Sequence, residues 1–123
     1  MMETYFDKLS ALYADTKTQF ERLNGLQSAL DRKVSEIYHI VEKTDFNLTE
    51  GHELARKLKE TLQQRRVIKQ EIALLMPVYQ SLKEQMAKIE EQHNRAVRKS
   101  CEIKDTLNVT LDLTQVLAAV EAE

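Results

Sequence analysis

The fold is decided by residues 54–107, which read LARKLKETLQQRRVIKQEIALLMPVYQSLKEQMAKIEEQHNRAVRKSCEIKDTL. Mostly apolar side chains recur along this stretch at alternating steps of four and three residues. A seven-residue repeat of this kind places its members on one narrow stripe of an α-helix, and such a stripe packs against another helix. The stripe positions are Leu54, Leu58, Thr61, Arg65, Ile68, Ile72, Leu75, Tyr79, Leu82, Met86, Ile89, His93, Ala96, Ser100, Ile103 and Leu107.

Pro77 lies on the outer face of this repeat, and two architectures accommodate it. Proline removes a backbone donor and clashes with the carbonyl four residues earlier, so it either kinks a helix or ends it. The repeat passes through Pro77 without a skip, which favours a kinked but continuous helix over residues 49–107. The alternative is a three-helix bundle that turns near Pro77.

A second long helix is predicted over residues 3–43. Its inner stripe is expected to consist of Leu9, Leu12, Thr16, Gln19, Leu23, Leu26, Leu30, Lys33, Ile37 and Ile40, widened on one side by Tyr13, Phe20, Val34 and Val41. A stripe of this width is typical of a helix with more than one neighbour. Gly25 lies inside this helix, and we interpret it as the mark of a close helix crossing.

The helices are separated by a loop at residues 44–48. Thr44, Asp45 and Asn47 favour helix ends over helix interiors, and Asn47 with Glu50 has the spacing of a capping box. A connection this short makes its flanking helices antiparallel neighbours. We therefore predict an all-α fold: a long antiparallel helical hairpin, or coiled coil, forming a single domain over residues 1–123.

The pattern changes after Leu107. Leu107, Val109, Leu111 and Leu113 alternate with the period of a strand, whereas the residues from Leu113 onwards follow a helical period. We favour a break near Asn108 followed by a short amphipathic helix over residues 113–122. This terminal helix either docks onto a partner or folds back onto the main helices.

One charged residue occupies an inner position of the long repeat. Arg65 is costly there unless an acidic side chain neutralises it. An antiparallel hairpin brings Arg65 opposite residues 27–31, so Asp31 is the predicted partner. A functional alternative is that Arg65 contributes to a surface that binds phosphate or an acidic protein.

A basic stretch suggests nucleic acid as an alternative partner, although the net charge of the chain is −2. The candidate residues are Arg56, Lys59, Arg65, Arg66 and Lys69. We expect these side chains to point around several faces of the helix, and no aromatic side chains interleave with them for base stacking. A solvated helix face paired with acids is therefore favoured over a nucleic-acid site.

Sites for chemistry are poor in this sequence. Glu90 and His93 have a spacing seen in di-iron bundles, but a site of that kind needs a second such pair and two more glutamates. Cys101 has Lys99 and Lys104 nearby, yet long helices offer few loops from which to build a pocket. We expect no enzyme activity, no metal, no cofactor and no small-molecule substrate. A single cysteine and no secretory or membrane-spanning pattern indicate the cytoplasm.

Residues 36–79 resemble a family of small helical proteins encoded by phages of Gram-positive bacteria. The resemblance rests on His39 and Glu42, then Glu50, Gly51, Leu54 and Leu58, then Arg65, Arg66, Lys69, Glu71 and Ile72. It implies a phage or prophage setting, with a host-directed or assembly role in the host cytoplasm. It implies no particular activity.

The length mismatch between the two long helices suggests a function. Under the kinked-helix model the first helix, of about 60 Å, leaves the far end of the second uncovered, and such a surface recruits a partner. We therefore expect a non-enzymatic protein-interaction module that self-associates, binds a host protein, or does both. The expected interaction residues are Tyr79, Leu82, Met86, Ile89, Ile103, Leu107, Leu113 and Leu117.

Overall fold

The computed structural model describes residues 3–122 and contains three helices. Helix α1 runs from Tyr5 to Lys43, α2 from Leu48 to Leu107, and α3 from Leu113 to Glu121. No strand occurs within the described residues, so the predicted all-α class is confirmed. Contacts within the chain divide it into two units, the first ending at Met86 and the second beginning at Ala87.

Within the first unit, α1 and α2 pack against each other as an antiparallel hairpin. The ring of Tyr79 on α2 stacks against Phe20 and Tyr13 on α1, with centroid separations of 4.7 Å and 6.2 Å. Further along α1, Asp31 pairs with Arg65 of α2. Residue numbers thus rise on one helix as they fall on the other, which confirms the predicted hairpin and the predicted partner of Arg65.

The seam of α1 differs from the predicted stripe. Every member of the observed seam is buried or half-buried: Leu9, Tyr13, Thr16, Phe20, Leu23, Gln27, Leu30, Val34 and Ile37. Five residues that were expected inside are exposed: Leu12, Gln19, Leu26, Lys33 and Ile40. Tyr13, Phe20 and Val34, predicted only to widen the stripe, are therefore part of the seam, whereas Val41 is exposed. The aromatic stack on Tyr79 explains the choice, because it draws Tyr13 and Phe20 into the interface.

Two buried threonines lie in this hairpin seam. Thr61 is the most buried residue, at 1% exposure, and its hydroxyl donates to the carbonyl of Lys57 over 2.7 Å. The hydroxyl of Thr16 donates to the carbonyl of Tyr13 over 2.9 Å. Because each hydroxyl bonds within its own helix, neither leaves an unpaired polar group in the seam.

Gly25 does not mark a helix crossing. It is exposed, and a Cβ atom built on it would meet nothing within 4 Å beyond its own helix. The interpretation of Gly25 as a close-contact position is therefore wrong. An exposed glycine in a helix interior lowers the stability of the helix by about 1 kcal/mol relative to alanine, through its low helix propensity.

Helix α2 continues through Pro77. The proline is exposed and lies inside an uninterrupted run of α-helix from Leu48 to Leu107. The alternative of a three-helix bundle turning at this point is therefore wrong. The exposed position explains why the helix tolerates it, since the carbonyl that loses its partner belongs to Ala73, which is exposed as well.

The start of α2 is capped as its sequence predicts. The side-chain oxygen of Asn47 accepts from the Glu50 amide over 2.8 Å, and the Asn47 side-chain amide donates to the Glu50 carboxylate over 3.2 Å. In an ordinary capping box the second bond comes from the backbone, so this is a side-chain variant of it. The Phe46 ring lies close to Gly51, because a Cβ atom built on that glycine would be 3.1 Å from it.

The break between α2 and α3 lies at Asn108, where it was predicted. Asn108 adopts a positive φ of 54°, and the amide of Val109 donates to the carbonyl of Lys104 over 2.9 Å. This is the Schellman arrangement that ends many helices. Asp112 and Gln115 then form a capping box for α3, each side chain accepting from the other's backbone amide.

Candidate protein-interaction surface

The burial of the α2 repeat changes along its length. Its positions from Leu54 to His93 are all buried or half-buried. The last four, Ala96, Ser100, Ile103 and Leu107, are all exposed. We call these four residues the exposed α2 seam. Because the seven-residue pattern continues through them, they retain the geometry that a helical partner requires.

The two large members of the exposed α2 seam lie in a shallow groove. Ile103 is 49% exposed and Leu107 is 68% exposed. The groove is completed by Lys99, Glu102 and Thr106. It therefore combines apolar with charged side chains on one open helix surface, a composition typical of a strip that docks another helix.

Helix α3 presents a second apolar strip, which we call the α3 face. Leu113, Val116, Leu117 and Val120 have helical spacing and are all exposed. Val109 and Leu111 in the preceding segment are exposed as well. Contiguous exposed apolar surface of this kind marks interaction sites in soluble proteins.

The predicted interaction residues divide into two groups. Ile103, Leu107, Leu113 and Leu117 are exposed. Tyr79 is 8% exposed and lies inside the hairpin, while Leu82, Met86 and Ile89 are half-buried. The predicted residues that are exposed therefore all lie after residue 95. Sequence reasoning left out Val116 and Val120, although both follow the helical period of α3.

The charged residues beside the exposed α2 seam differ in whether they form ion pairs. Arg95 forms an ion pair with Glu91 over 2.6 Å. Lys99, Glu102 and Lys104 form no ion pair with any residue that the structure describes. These three side chains are therefore open to a partner's charges.

The basic stretch is partly neutralised by nearby carboxylates. Arg56 pairs with Glu53 and with Glu60, the latter over 2.9 Å, and Arg65 pairs with Asp31. The hydrogen bond from Arg56 holds the pKa of Glu53 below its ordinary value and raises the pKa of Arg56. Two of the five candidate cations, Arg56 and Arg65, are therefore already paired with carboxylates of the same chain.

The other three cations share one side of α2. Lys59 and Arg66 line one groove, and Arg66 and Lys69 line the next one along the helix. None of the three forms an ion pair within residues 3–122. Their common side follows from spacings of seven and three residues, a signal that the sequence already contained.

Other candidate sites receive no support from geometry. Within residues 3–122, no three His, Cys, Asp or Glu side chains are close enough together to hold a metal ion, and Glu90 and His93 are included in that statement. Cys101 is exposed. No described helix combines the length and apolar character that crossing a membrane requires.

Comparisons of the chain with protein-family models, with curated proteins and with solved structures find no significant match.

Proposed function

We propose that this chain is a non-enzymatic helical module for protein–protein interaction. The observation that supports the proposal is the loss of burial along the α2 repeat, which leaves Ile103 and Leu107 exposed a few residues before the apolar α3 face begins. Fully burying a leucine or isoleucine side chain contributes about 1.5–3 kcal/mol. Several such side chains together provide the energy for a specific complex.

The partner that we propose is a second copy of the chain, a host protein, or each in turn. The resemblance of residues 36–79 to phage-encoded helical proteins supports a phage or prophage setting. In that setting the module would inhibit a host factor or support particle assembly in the host cytoplasm.

Solution mass tests this proposal. Light scattering after gel filtration is expected to give a mass that rises with concentration above 14.3 kDa, or a stable complex when lysate of a Gram-positive host is added. The test variants are Ile103→Lys, Leu107→Lys and Leu117→Lys. Loss of association in these variants supports the proposal.

Two substitutions elsewhere on α2 provide matched controls. Leu74 and Val67 are exposed to a similar or greater degree but lie outside the repeat stripe. Leu74→Lys and Val67→Lys should therefore leave the mass unchanged. A wild-type chain that stays monomeric at every concentration and captures no protein would contradict the proposal.

Nucleic-acid binding is a second candidate function. It is favoured because Lys59, Arg66 and Lys69 share one side of α2 and form no ion pair with the residues that the structure describes. Phosphate contacts by three cations predict an affinity that falls steeply with salt. A gel shift at low salt, repeated with Lys59→Gln, Arg66→Gln and Lys69→Gln together, tests it, and the absence of a shift at low salt excludes it.

A further inference from the structure

The exposed α2 seam consists of two small side chains followed by two large ones. Ala96 and Ser100 precede Ile103 and Leu107, and all four are exposed. We propose that this seam packs against the same seam of a second copy of the chain, with the two α2 helices running in opposite directions. This inference rests on the proposed function. The partner is thereby specified as another copy of the chain, and the orientation as antiparallel.

Side-chain size favours this orientation. In an antiparallel pair, Ile103 lies opposite Ser100 of the second copy, and Leu107 lies opposite Ala96 of the second copy. Each layer then contains one large and one small side chain, so the helices keep an even separation along the contact. A parallel pair places each residue against its own equivalent, which leaves gaps at Ala96 and Ser100.

Charge favours the same orientation. In a parallel pair, the residue that precedes a seam position lies beside the residue five positions later on the partner helix. Lys99 of each copy therefore lies beside Lys104 of the other, so the same repulsion occurs twice. An antiparallel pair instead brings Lys104 beside Val97 of the second copy. Lys99 then lies on the same side of the helix contact as Thr106 and Glu102 of the second copy. The repulsion is removed, and the unpaired Glu102 carboxylate approaches a cation.

The antiparallel arrangement, like a parallel in-register pair, is self-complementary. Two identical seams related by a two-fold axis make the same contacts in both directions, so the assembly closes as a dimer and leaves no further seam to extend a filament. The contact covers about three helical turns, which is short, so we expect the association to depend on concentration in the micromolar range or above.

Sedimentation equilibrium of the full chain and of three charge or size variants tests the proposal. Ile103→Lys is expected to raise the dimer dissociation constant at least tenfold. Lys99→Glu places a second carboxylate near Glu102 of the other copy and should raise the constant about two- to fivefold. Lys104 lies beside Val97 of the second copy, so Lys104→Glu should change the dimer dissociation constant by less than twofold. Circular dichroism checks that each variant keeps the wild-type helix content.

The outcomes separate this inference from the function on which it rests. If Lys99→Glu and Lys104→Glu both tighten the dimer, the helices are parallel and the inference is overturned, while self-association remains. A dimer that Ile103→Lys does not weaken uses another surface and also overturns it. A wild-type chain that stays monomeric overturns the inference and the self-association part of the proposed function together.

Discussion

Arg65 of α2 donates its Nε–H to the carboxylate of Asp31 on α1, across 34 positions of sequence. The pair fixes the register of the hairpin at a point midway between the aromatic stack at Tyr79 and the loop before α2. Both side chains remain partly exposed, at 34% for Arg65 and 47% for Asp31. The interaction is therefore screened by water, and its contribution to stability is limited.

A double-mutant cycle measures that contribution. Asp31→Ala, Arg65→Ala and the double variant are expected to give a coupling energy of about 0.2–1 kcal/mol in urea denaturation. Arg65→Leu should match or exceed wild-type stability, because an apolar side chain suits an inner position of the repeat. A coupling energy near zero at low salt would show that the pair does not form in solution.

Tyr79 should be the most sensitive position in the hairpin. Its ring is buried and stacks on Phe20 and Tyr13, so Tyr79→Ala removes both stacks and leaves a cavity. We expect a loss of about 3–5 kcal/mol in the free energy of unfolding. Tyr79→Phe keeps the ring and should cost less than about 1 kcal/mol. Leu74→Ala, at an exposed outer position, is the control and should change stability little.

The two glycines should respond differently to alanine. Gly25→Ala meets no neighbour and should stabilise the protein by about 1 kcal/mol through helix propensity. At Gly51, the new Cβ would lie 3.1 Å from the Phe46 ring, so the ring must shift and part of that gain is lost. Thermal melting of both variants checks the order. A larger gain at Gly51 than at Gly25 would contradict it.

Pro77 should be replaceable without loss of the fold. Alanine at this position restores a helical hydrogen bond at an exposed site inside α2, so we expect a gain of up to about 3 kcal/mol in the free energy of unfolding. Helix content by circular dichroism should stay the same or rise. Destabilisation by Pro77→Ala would indicate that the packing of α2 depends on the geometry that the proline imposes.

The sequence predicted the repeat of α2 and its connections, although at Pro77 it left a continuous helix and a turn both open. One unbroken repeat left a single choice of inner stripe, and it brought Arg65 to the level of Asp31. The caps at Asn47 and the break at Asn108 depend on local backbone chemistry, which neighbouring residues determine. The helix start at Asn47 and the helix end at Asn108 could be predicted because contacts with distant parts of the chain do not determine them.

The seam of α1 could not be predicted in the same way. Leu12, Leu26 and Ile40 form one apolar row, and Tyr13, Phe20 and Val34 form another beside it. Helical periodicity alone does not rank two adjacent apolar rows. The choice depends on which row meets Tyr79, and that contact arises only when the helices are paired. The loss of burial after His93, by contrast, was predicted, because the first helix is too short to cover the far end of the second.

Hydrogen exchange at two protein concentrations tests the central claim, which is that the chain binds its partner through the segment after residue 95. We predict that amides of residues 96–120 gain protection as concentration rises into the associating range, or when a captured host protein is added. Amides of α1 and of α2 up to Tyr79 should keep the same exchange rates. Added protection confined to residues 54–79, or association with no change in residues 96–120, would contradict the claim.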